Sequence, residues 1–260
     1  MNQLNNISPH SIENLDFIEQ YLYLEEIDST NSYAKELKNF PKSGLFVIRA
    51  VKQSGGRGRR EKTFFSEHSG GLWVSIIAPV TDISEHFIYN RALSLAICET
   101  LKSIDPSHND KISIKWPNDI YWKDRKIAGI LLENMPATQN AIIAGFGLNI
   151  NILVEDFPVE LRQSATSILI ETGQTQSLDR LLERILESYW NFSHDNRQSS
   201  VHERYTKNLY KKGCPAVVDS RQGTFLTVEV DGQLRLKTSN GDVLCSSGTL
   251  RFLETYEVNR

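Results

Sequence analysis

The chain has 260 residues, of which 40% are hydrophobic and 23% charged, with 29 basic and 32 acidic side chains and a formal net charge of −3. These values are ordinary for a globular protein and leave room for one large domain, alone or with a small companion. They argue against a general nucleic-acid binder, which carries a large positive excess.

Cysteine usage and hydropathy exclude several further classes of protein. Cys98, Cys214 and Cys245 lie far apart without C-x-x-C spacing, which excludes a disulfide framework and a zinc ribbon. No apolar run reaches the ~18 residues of a membrane span, and the first ten residues lack the basic and apolar regions of a signal peptide. We therefore expect a cytoplasmic protein with neither DNA nor a membrane as partner.

The first half of the chain predicts a lead-in followed by alternating helices and strands. Residues 1 to about 20 are polar and weakly patterned, which favours a loose lead-in. Any of Ser29, Thr30 and Asn31 can cap a helix over residues 32–39. Short apolar runs predict buried strands at 45–51 and 72–79. Ser84 begins a predicted helix that continues to residue 104.

The second half predicts more strands, two helices and a change of texture. Strand candidates begin at residues 112, 126 and 141, and Ser177 can cap a helix over 178–192 with one apolar face. A more polar helix is predicted near 197–210. After a break at 211–213, five short alternating runs are separated by turn dipeptides such as Asp231-Gly232, which are typical of tight hairpins. These last fifty residues predict a small all-β barrel.

One stretch departs from the average composition. Residues 52–62, KQSGGRGRREK, place five cations and three glycines within eleven residues of an acidic chain. Glycines allow backbone N–H groups to turn toward a ligand, and arginine forks suit carboxylate or phosphate oxygens. The pattern is not that of a P-loop. Taken alone, it indicates either an anion-binding loop or a flexible solvated turn.

Four other motifs allow a functional and a structural interpretation. Lys115-Trp116-Pro117-Asn118-Asp119 presents either polar ligands or an ordinary hairpin turn. Lys126 either projects into a cleft or faces solvent, and Ser29-Thr30-Asn31 either contacts a polar ligand or only caps a helix. Gly145-Phe146-Gly147-Leu148-Asn149 lacks the third glycine of a Rossmann fingerprint, so it indicates either close approach of a ligand or a bulge in a core strand.

The order and spacing of the motifs are more specific than any one of them. The sequence resembles a biotin–protein ligase from Glu25 to the carboxyl terminus. The matching motifs are E-x-x-x-S-T-N (25–31), Q-x-x-G-R-G-R-R (53–60), K-W-P-N-D-I (115–120), D-R-K-I-A-G-I-L-L-E (124–133) and G-x-G-x-N (145–149), with Ala165-Thr166-Ser167 ahead of the late helix.

The resemblance implies an α+β fold of the class II synthetase-like type. It combines a mixed β-sheet, covered by helices mainly on one face, with a small carboxyl-terminal β-barrel of the Src-homology type. The implied organisation is a lead-in over 1–24, a catalytic domain over 25–210 and the small barrel over 213–260.

The resemblance also implies an ATP-dependent ligase. Such an enzyme joins biotin to AMP as biotinyl-5′-AMP and then transfers biotin to a specific lysine of a biotin carboxyl carrier protein, for example that of acetyl-CoA carboxylase. ATP, biotin and Mg²⁺ are the implied small molecules, and a homodimer is a possible assembly.

The implied site residues fall into four groups. The catalytic group is Lys126, Arg59 and Asp119. The biotin group is Ser29, Thr30, Asn31, Gln53, Arg57, Gly58, Arg59, Trp73, Lys126, Gly129, Leu131 and Gly145. The ATP or adenylate group is Arg57, Arg59, Arg60, Lys62, Lys115, Asn118 and Asn149, and Asp119 is the Mg²⁺ candidate.

Some features depart from the family or leave alternatives open. Where the family loop continues with glycine, arginine and then tryptophan, this chain has Glu61, Lys62 and Phe64. About two dozen residues precede the first motif, too few for the helix-turn-helix domain of family members that also repress transcription, so we expect a monofunctional ligase. The alternatives are a non-catalytic biotin- or adenylate-binding regulator and a lipoate–protein ligase of the same fold.

Overall fold

A seven-stranded mixed sheet is the centre of the computed structural model, which describes residues 12–40, 42–80, 86–136, 138 and 140–253, without the side chains of Glu13, Glu61 and His108. Its strand order is β1-β2-β3-β7-β6-β5-β4. The strands are β1 (Ile18–Ile27), β2 (Leu45–Gln53), β3 (Gly71–Pro79), β4 (Ile112–Lys115), β5 (Asp119–Trp122), β6 (Arg125–Asn134) and β7 (Ala141–Asn149). Only β1 and β2 pair in parallel; the other neighbours are antiparallel.

The helices divide unequally between the two faces of this sheet. The helices are α1 (Thr30–Glu36), α2 (His86–Ile104), α3 (Ile168–Thr172), α4 (Leu178–Ser193) and α5 (Gln198–Lys207). Along β3, Leu72, Val74 and Ile76 pack into the core that contains α2, α4 and α5. The intervening Ser75 points to the other face, because side chains alternate along a strand, and there it contacts α1. Most helices therefore lie on one face, as predicted.

Two elements differ from the sequence prediction. Residues 18–24 were expected in a lead-in, but they belong to β1, the strand at one edge of the sheet. Asp119 was expected in a turn, but it begins β5, a strand that was not predicted. The helix predicted after Ser84 is observed from His86, and Ser84 itself lies outside the described residues.

The carboxyl-terminal part forms a second sheet. Five antiparallel strands follow the order β11-β10-β9-β8-β12. They are β8 (Pro215–Val218), β9 (Arg221–Val228), β10 (Leu234–Thr238), β11 (Gly241–Cys245) and β12 (Leu250–Phe252). Within the described residues β11 and β12 are the two edges, so the predicted closure into a barrel is not observed. Residues 254–260, the end of the predicted barrel, lie outside the described residues.

The second sheet packs firmly on the first. Its buried Val218, Phe225 and Leu236 share one hydrophobic core with α2 and α5. The indole nitrogen of Trp116 donates a hydrogen bond to the Gly232 carbonyl at 2.9 Å. This docking brings residues 248–250 next to the carboxyl end of β4. None of the described helices has the length and hydropathy that a membrane-spanning segment requires.

Candidate active site

A cavity of ≈ 240 Å³ opens between the large sheet and residues 57–64 of the β2–β3 connection. It is bounded by the start of α1, the ends of β2, β4 and β5, the middle of β6 and β7, and residues 248–250 from the second sheet. Of the predicted site residues, the lining includes Ser29, Thr30, Asn31, Gln53, Arg57, Gly58, Arg59, Arg60, Lys62, Lys115, Asn118, Asp119, Lys126, Gly129, Leu131 and Gly145. Predicted residues as far apart in sequence as Ser29 and Gly145 thus meet in one place.

One end of the cavity is built from Thr30, Asn31, Gln53 and Ser75, which we call the polar floor. All four side chains are buried. The backbone N–H and the hydroxyl of Thr30 donate to Gln53 Oε1 at 2.8 and 3.0 Å. The Ser75 hydroxyl lies 2.7 Å from the Thr30 hydroxyl and also contacts Asn31 Oδ1. Because buried polar groups are costly unless paired, these bonds hold the floor in a single arrangement.

Helix capping and cavity lining are divided among the residues of the Ser-Thr-Asn motif. Ser29 caps α1, since its hydroxyl accepts from the Ser32 backbone N–H. Asn31 reaches away from the helix and donates from Nδ2 to the Leu131 carbonyl at 3.3 Å and to Glu133 Oε2 at 3.0 Å. The first residue therefore serves the helix, and the third serves the cavity.

Glycines on β6 and β7 let other groups approach the sheet. A β carbon at Gly145 would lie 2.1 Å from Asn31 Oδ1, closer than real contacts allow. At Gly129 and Gly147 it would lie 2.9 and 2.3 Å from the Phe64 ring. Phe64, the residue at the family's tryptophan position, therefore packs against a part of β6 and β7 that only glycines leave open.

Glu133 connects the polar floor to the arginine loop. Its carboxylate accepts from Asn31 and pairs with Lys35 at 2.6 Å and with Arg57 at 3.2 Å. Burial opposes the charged form, but hydrogen bonds from Lys35 and Asn31 outweigh it and lower the pKa of Glu133. Sequence analysis did not single out this residue, although it ends the D-R-K-I-A-G-I-L-L-E motif.

Lys126 and Asp119 form an ion pair in the middle of the cavity. Lys126 Nζ lies 2.7 Å from Asp119 Oδ1 and 5.3 Å from the centre of the Phe64 ring. Lys115 lies at the same edge, 3.1 Å from the Tyr121 hydroxyl. Burial lowers the pKa of Lys115, against the opposing charge of Asp119. Two ammonium groups thus face the cavity from β4 and β6, the strands on either side of β5.

The basic loop, residues 57–62, is held as a small hairpin. Gly58 N–H donates to the Lys62 carbonyl at 2.7 Å. Arg59 reaches Asn118 Oδ1 at 3.5 Å, and burial lowers the pKa of its guanidinium. Arg60 has a left-handed backbone, with φ 55°. The Glu61 side chain, one of the two departures in this loop, lies outside what the structure describes.

Arg60 contacts the second sheet. Although it borders the cavity, its guanidinium lies 3.2 Å from the Thr249 hydroxyl and 3.5 Å from Asp219 Oδ1. Asp219 also accepts from the Thr249 backbone N–H at 3.1 Å. The loop and the second sheet are thus joined by one arginine.

Two predicted site residues lie behind the cavity wall. Trp73 is completely buried and donates from its indole nitrogen to the His68 carbonyl at 2.9 Å, with its ring edge-on to Phe64. Asn149 donates from Nδ2 to the Thr166 carbonyl at 2.9 Å. Its Oδ1 is buried without a hydrogen-bond partner among the described residues. Such an orphaned acceptor is unusual and marks Asn149 as a group that awaits a donor.

The donor set does not form a metal site by itself. The described residues contain no group of three or more His, Cys, Asp or Glu side chains placed to hold a metal ion. Asp119 is the one carboxylate in the described cavity lining, and Lys126 is paired with it.

Comparison with known protein sequences finds relatives of this chain. Residues 23–150 match the model of the biotin/lipoate A/B protein ligase family. The bifunctional ligase/repressor BirA of Bacillus spizizenii is 35% identical over 170 residues, which are 64% of this chain and 51% of that protein. A biotin–[acetyl-CoA-carboxylase] ligase of Mycobacterium tuberculosis is 28% identical over 142 residues, 54% of this chain and 51% of the relative. The chain spans about half the length of these relatives.

Structure comparison gives the same fold. The biotin protein ligase from Aquifex aeolicus, solved in complex with biotin and ATP, superposes with a TM-score of 0.76 over 90% of this chain and 100% of that one, at 24% identity. The resemblance inferred from the motifs is confirmed by the family match and the curated relatives.

Proposed function

Since residues 23–150 belong to the biotin/lipoate A/B protein ligase family, we propose that this chain activates biotin with ATP and transfers it to a lysine of a biotin carboxyl carrier protein. The Aquifex relative was solved with biotin and ATP, and the Mycobacterium relative is named for acetyl-CoA carboxylase. Both names support biotin over lipoate as the acid that is activated.

The observation that carries the proposal is the charge of the cavity. Its described lining has six cationic side chains, Arg57, Arg59, Arg60, Lys62, Lys115 and Lys126, against the single carboxylate of Asp119, in a chain whose net charge is −3. The chemical difficulty of biotin activation is to bring one anion onto a polyanion. Fixed cations offset that repulsion and stabilise the charge that develops during transfer.

We propose that the first step takes place above Lys126. The polar floor, together with Leu131 and Gly145, holds biotin. An oxygen of the biotin carboxylate attacks the α-phosphorus of ATP. The bond from that phosphorus to the bridging oxygen breaks, and pyrophosphate leaves with the bonding pair. Lys126 exchanges its ion pair with Asp119 for the carboxylate and the α-phosphate, and Arg57 and Arg59 close over the adenylate.

The second step is acyl transfer. The amine of the carrier lysine attacks the biotinyl carbonyl carbon, AMP leaves with the electrons of the acyl–oxygen bond, and the amine loses a proton as the amide forms. Released from Lys126, Asp119 is the carboxylate positioned to orient the incoming lysine. At the nucleotide end Asn149 Oδ1 awaits a donor such as an exocyclic amine, and we assign Arg60, Lys62, Lys115 and Asn118 to the phosphates and the ribose.

Other assignments rest on the same family membership. We infer that the second sheet is the family's small Src-homology-type barrel, that residues 25–210 form the catalytic domain, and that a homodimer and a cytoplasmic location fit the family. Trp73 supports Phe64, which lies beside the biotin ring system, but Trp73 itself does not touch biotin. Mg²⁺ is expected to arrive with ATP, because the described cavity lining holds no carboxylate besides Asp119.

One incubation separates the proposed ligase from its alternatives. The protein is mixed with ATP, Mg²⁺ and either biotin or lipoate, pyrophosphate is measured, and a carrier domain is then added. The ligase predicts pyrophosphate release and covalent labelling with biotin alone. Labelling with lipoate would identify a lipoate ligase, and biotin binding without pyrophosphate would identify a regulator; either result contradicts the proposal.

A further inference from the structure

The carboxylate of Glu171 is buried behind the cavity and takes no part in the proposed chemistry. The side chain of Glu171, on the short helix α3, is 1% exposed. It pairs with Lys123 at 2.8 Å and with Arg125, and it accepts from the Thr166 hydroxyl at 2.7 Å. We call Lys123, Arg125, Thr166 and Glu171 the carboxylate clamp.

The clamp is ionic under ordinary conditions. Burial raises the pKa of Glu171, but hydrogen bonds from Lys123 and Thr166 and the charge of Arg125 outweigh burial and lower it. Only the carboxylate is buried, since the Lys123 and Arg125 side chains are 49% and 31% exposed, and ion pairs with such exposed partners add little stability. A stabilising role alone therefore accounts poorly for a charge at this position.

The clamp reaches the cavity wall through the backbone of Thr166, which bonds to Asn149 behind the wall and to Lys126 in the lining. The Thr166 carbonyl accepts from Asn149 Nδ2 at 2.9 Å, which fixes the direction of the unpartnered Asn149 Oδ1. The Thr166 N–H donates to the Lys126 carbonyl at 2.9 Å, and the Lys126 N–H donates to the Ser164 carbonyl at 2.8 Å. On the other side, Lys123 lies in the β5–β6 turn and Arg125 begins β6, directly before Lys126.

We propose that Glu171 is a positioning residue for the nucleotide end of the site. Its carboxylate draws the β5–β6 turn and the 164–167 segment together, so that Lys126 and Asn149 keep a fixed separation. The proposal rests on the proposed function for its kinetic consequence, but not for its structural one. The polar floor lies on other elements, and the clamp makes no contact with it among the described residues.

The test compares Glu171→Gln with the control Glu99→Gln, which also removes a paired carboxylate. Glu99 lies on α2, away from the clamp, and pairs with Arg204 of α5 at 2.6 Å. In ATP–pyrophosphate exchange we expect Glu171→Gln to raise the KM for ATP roughly tenfold, since misplacing a reacting group by a fraction of an ångström is costly. The KM for biotin should change less than about twofold. Glu99→Gln should leave both constants unchanged.

A second pair of variants guards against a folding defect. Thr166→Val removes the hydroxyl that Glu171 accepts from and should show the same split to a smaller degree, whereas Thr166→Ser should restore the wild-type constants. Equal rises in both constants, or a fall in thermal stability with neither constant changed, would overturn the proposal.

Hydrogen exchange separates this inference from the proposed function. The Thr166 and Lys126 amides should exchange faster in Glu171→Gln than in Glu99→Gln, whatever reaction the protein catalyses. If the wild-type chain releases no pyrophosphate, the proposed function fails while the exchange comparison still decides the role of Glu171. Unchanged exchange at both amides would refute the clamp.

Discussion

The polar floor and the basic loop border the same cavity, yet they are held in opposite ways. Thr30, Asn31 and Ser75 of the floor are at most 5% exposed and bond to one another. The side chains of Arg57 and Arg60 in the loop are 41% and 51% exposed and pair with carboxylates at its rim.

The difference separates a fixed part of the site from an exchangeable one. Buried hydrogen bonds are expensive to break because the freed groups stay desolvated. Exposed ion pairs are worth about 0–1 kcal/mol each, so the arginines can leave Glu133 and Asp219 when a stronger anion arrives. We therefore expect the floor to be preorganised for a ligand, and the arginines of the loop to exchange their protein carboxylates for the anionic groups of that ligand.

The sharpest test of this comparison is Lys126, which lies between the two regions. We expect Lys126→Ala to reduce pyrophosphate release by about 100-fold or more, the usual cost of losing a group that stabilises developing charge. Thermal unfolding should change little. Lys207→Ala, which removes an exposed lysine paired with Glu203, is the matched control. Pyrophosphate release near the wild-type rate would remove Lys126 from the reaction.

The rigidity of the floor is tested next at Gly145. A β carbon there would lie 2.1 Å from Asn31 Oδ1, so Gly145→Ala must push Asn31 aside. We expect biotin affinity, measured by calorimetry, to fall about tenfold or more. Gly223→Ala is the control, because its β carbon would lie 2.5 Å from the Lys237 carbonyl in the second sheet. Equal affinity in the two variants would show that the floor adapts.

The exchangeable character of the loop is tested at Arg59. We expect Arg59→Gly to release biotinyl-AMP about tenfold faster, the cost of one hydrogen bond to a charged group. The escaped acyl adenylate should then label lysines on a bystander protein, detected by blotting with streptavidin. Unchanged specificity would mean that the loop does not retain the intermediate.

The acid stability of Glu133 probes the junction of floor and loop. Its pKa is lowered in the folded state, so its contribution is complete above the unfolded pKa of about 4.3 and is lost as the pH falls through the folded value. The difference in unfolding free energy between wild type and Glu133→Gln should be about 1–3 kcal/mol at neutral pH. It should shrink steadily at pH values below 4.3. A difference independent of pH would show that Glu133 is not held as a carboxylate.

The smallest effect is expected where the loop meets the second sheet. Asp219→Asn removes the charge that pairs with Arg60 but keeps an oxygen that accepts from the Thr249 N–H, so thermal stability should barely change. Proteolytic nicking of the basic loop should become modestly faster, while biotin affinity stays constant. A marked loss of biotin affinity would mean that floor and loop are coupled after all.

Much of the fold followed from local sequence patterns. The apolar runs gave β2, β3, β6 and β7, and the helical spacing of Leu181, Leu182 and Ile185 gave the buried face of α4. The edge strand β1 was missed because its polar residues face solvent on a half-exposed strand. The strands of the second sheet were predicted from local patterns. Whether they close into a barrel depends on pairing between distant residues, which no local pattern shows.

Site residues within sequence motifs could be predicted, whereas those whose position depends on pairing between distant strands could not. Sixteen of the proposed residues line the cavity, but Trp73 and Asn149 lie behind its wall, because a strand residue's face depends on the register of its neighbours. Ser75 is a lone polar residue in an apolar run. Its part in the polar floor becomes evident only when α1 lies beside it, because its partners Thr30 and Asn31 are on that helix. Glu171 carried no sequence signal, since its partners come from the β5–β6 turn and the 164–167 segment.

The wide sequence separation of the floor has a consequence for how the chain folds. Thr30 and Ser75 of the floor meet Gly145, which lies beside it, only after β2, β3 and β7 have paired. Contacts so distant in sequence form slowly. Partly folded forms therefore lack the floor, and a ligand bound there selects the native state. At a concentration 100 times its dissociation constant, such a ligand adds about 2.7 kcal/mol to the free energy of unfolding. The vitamin that the enzyme is proposed to consume would then also act as its folding ligand.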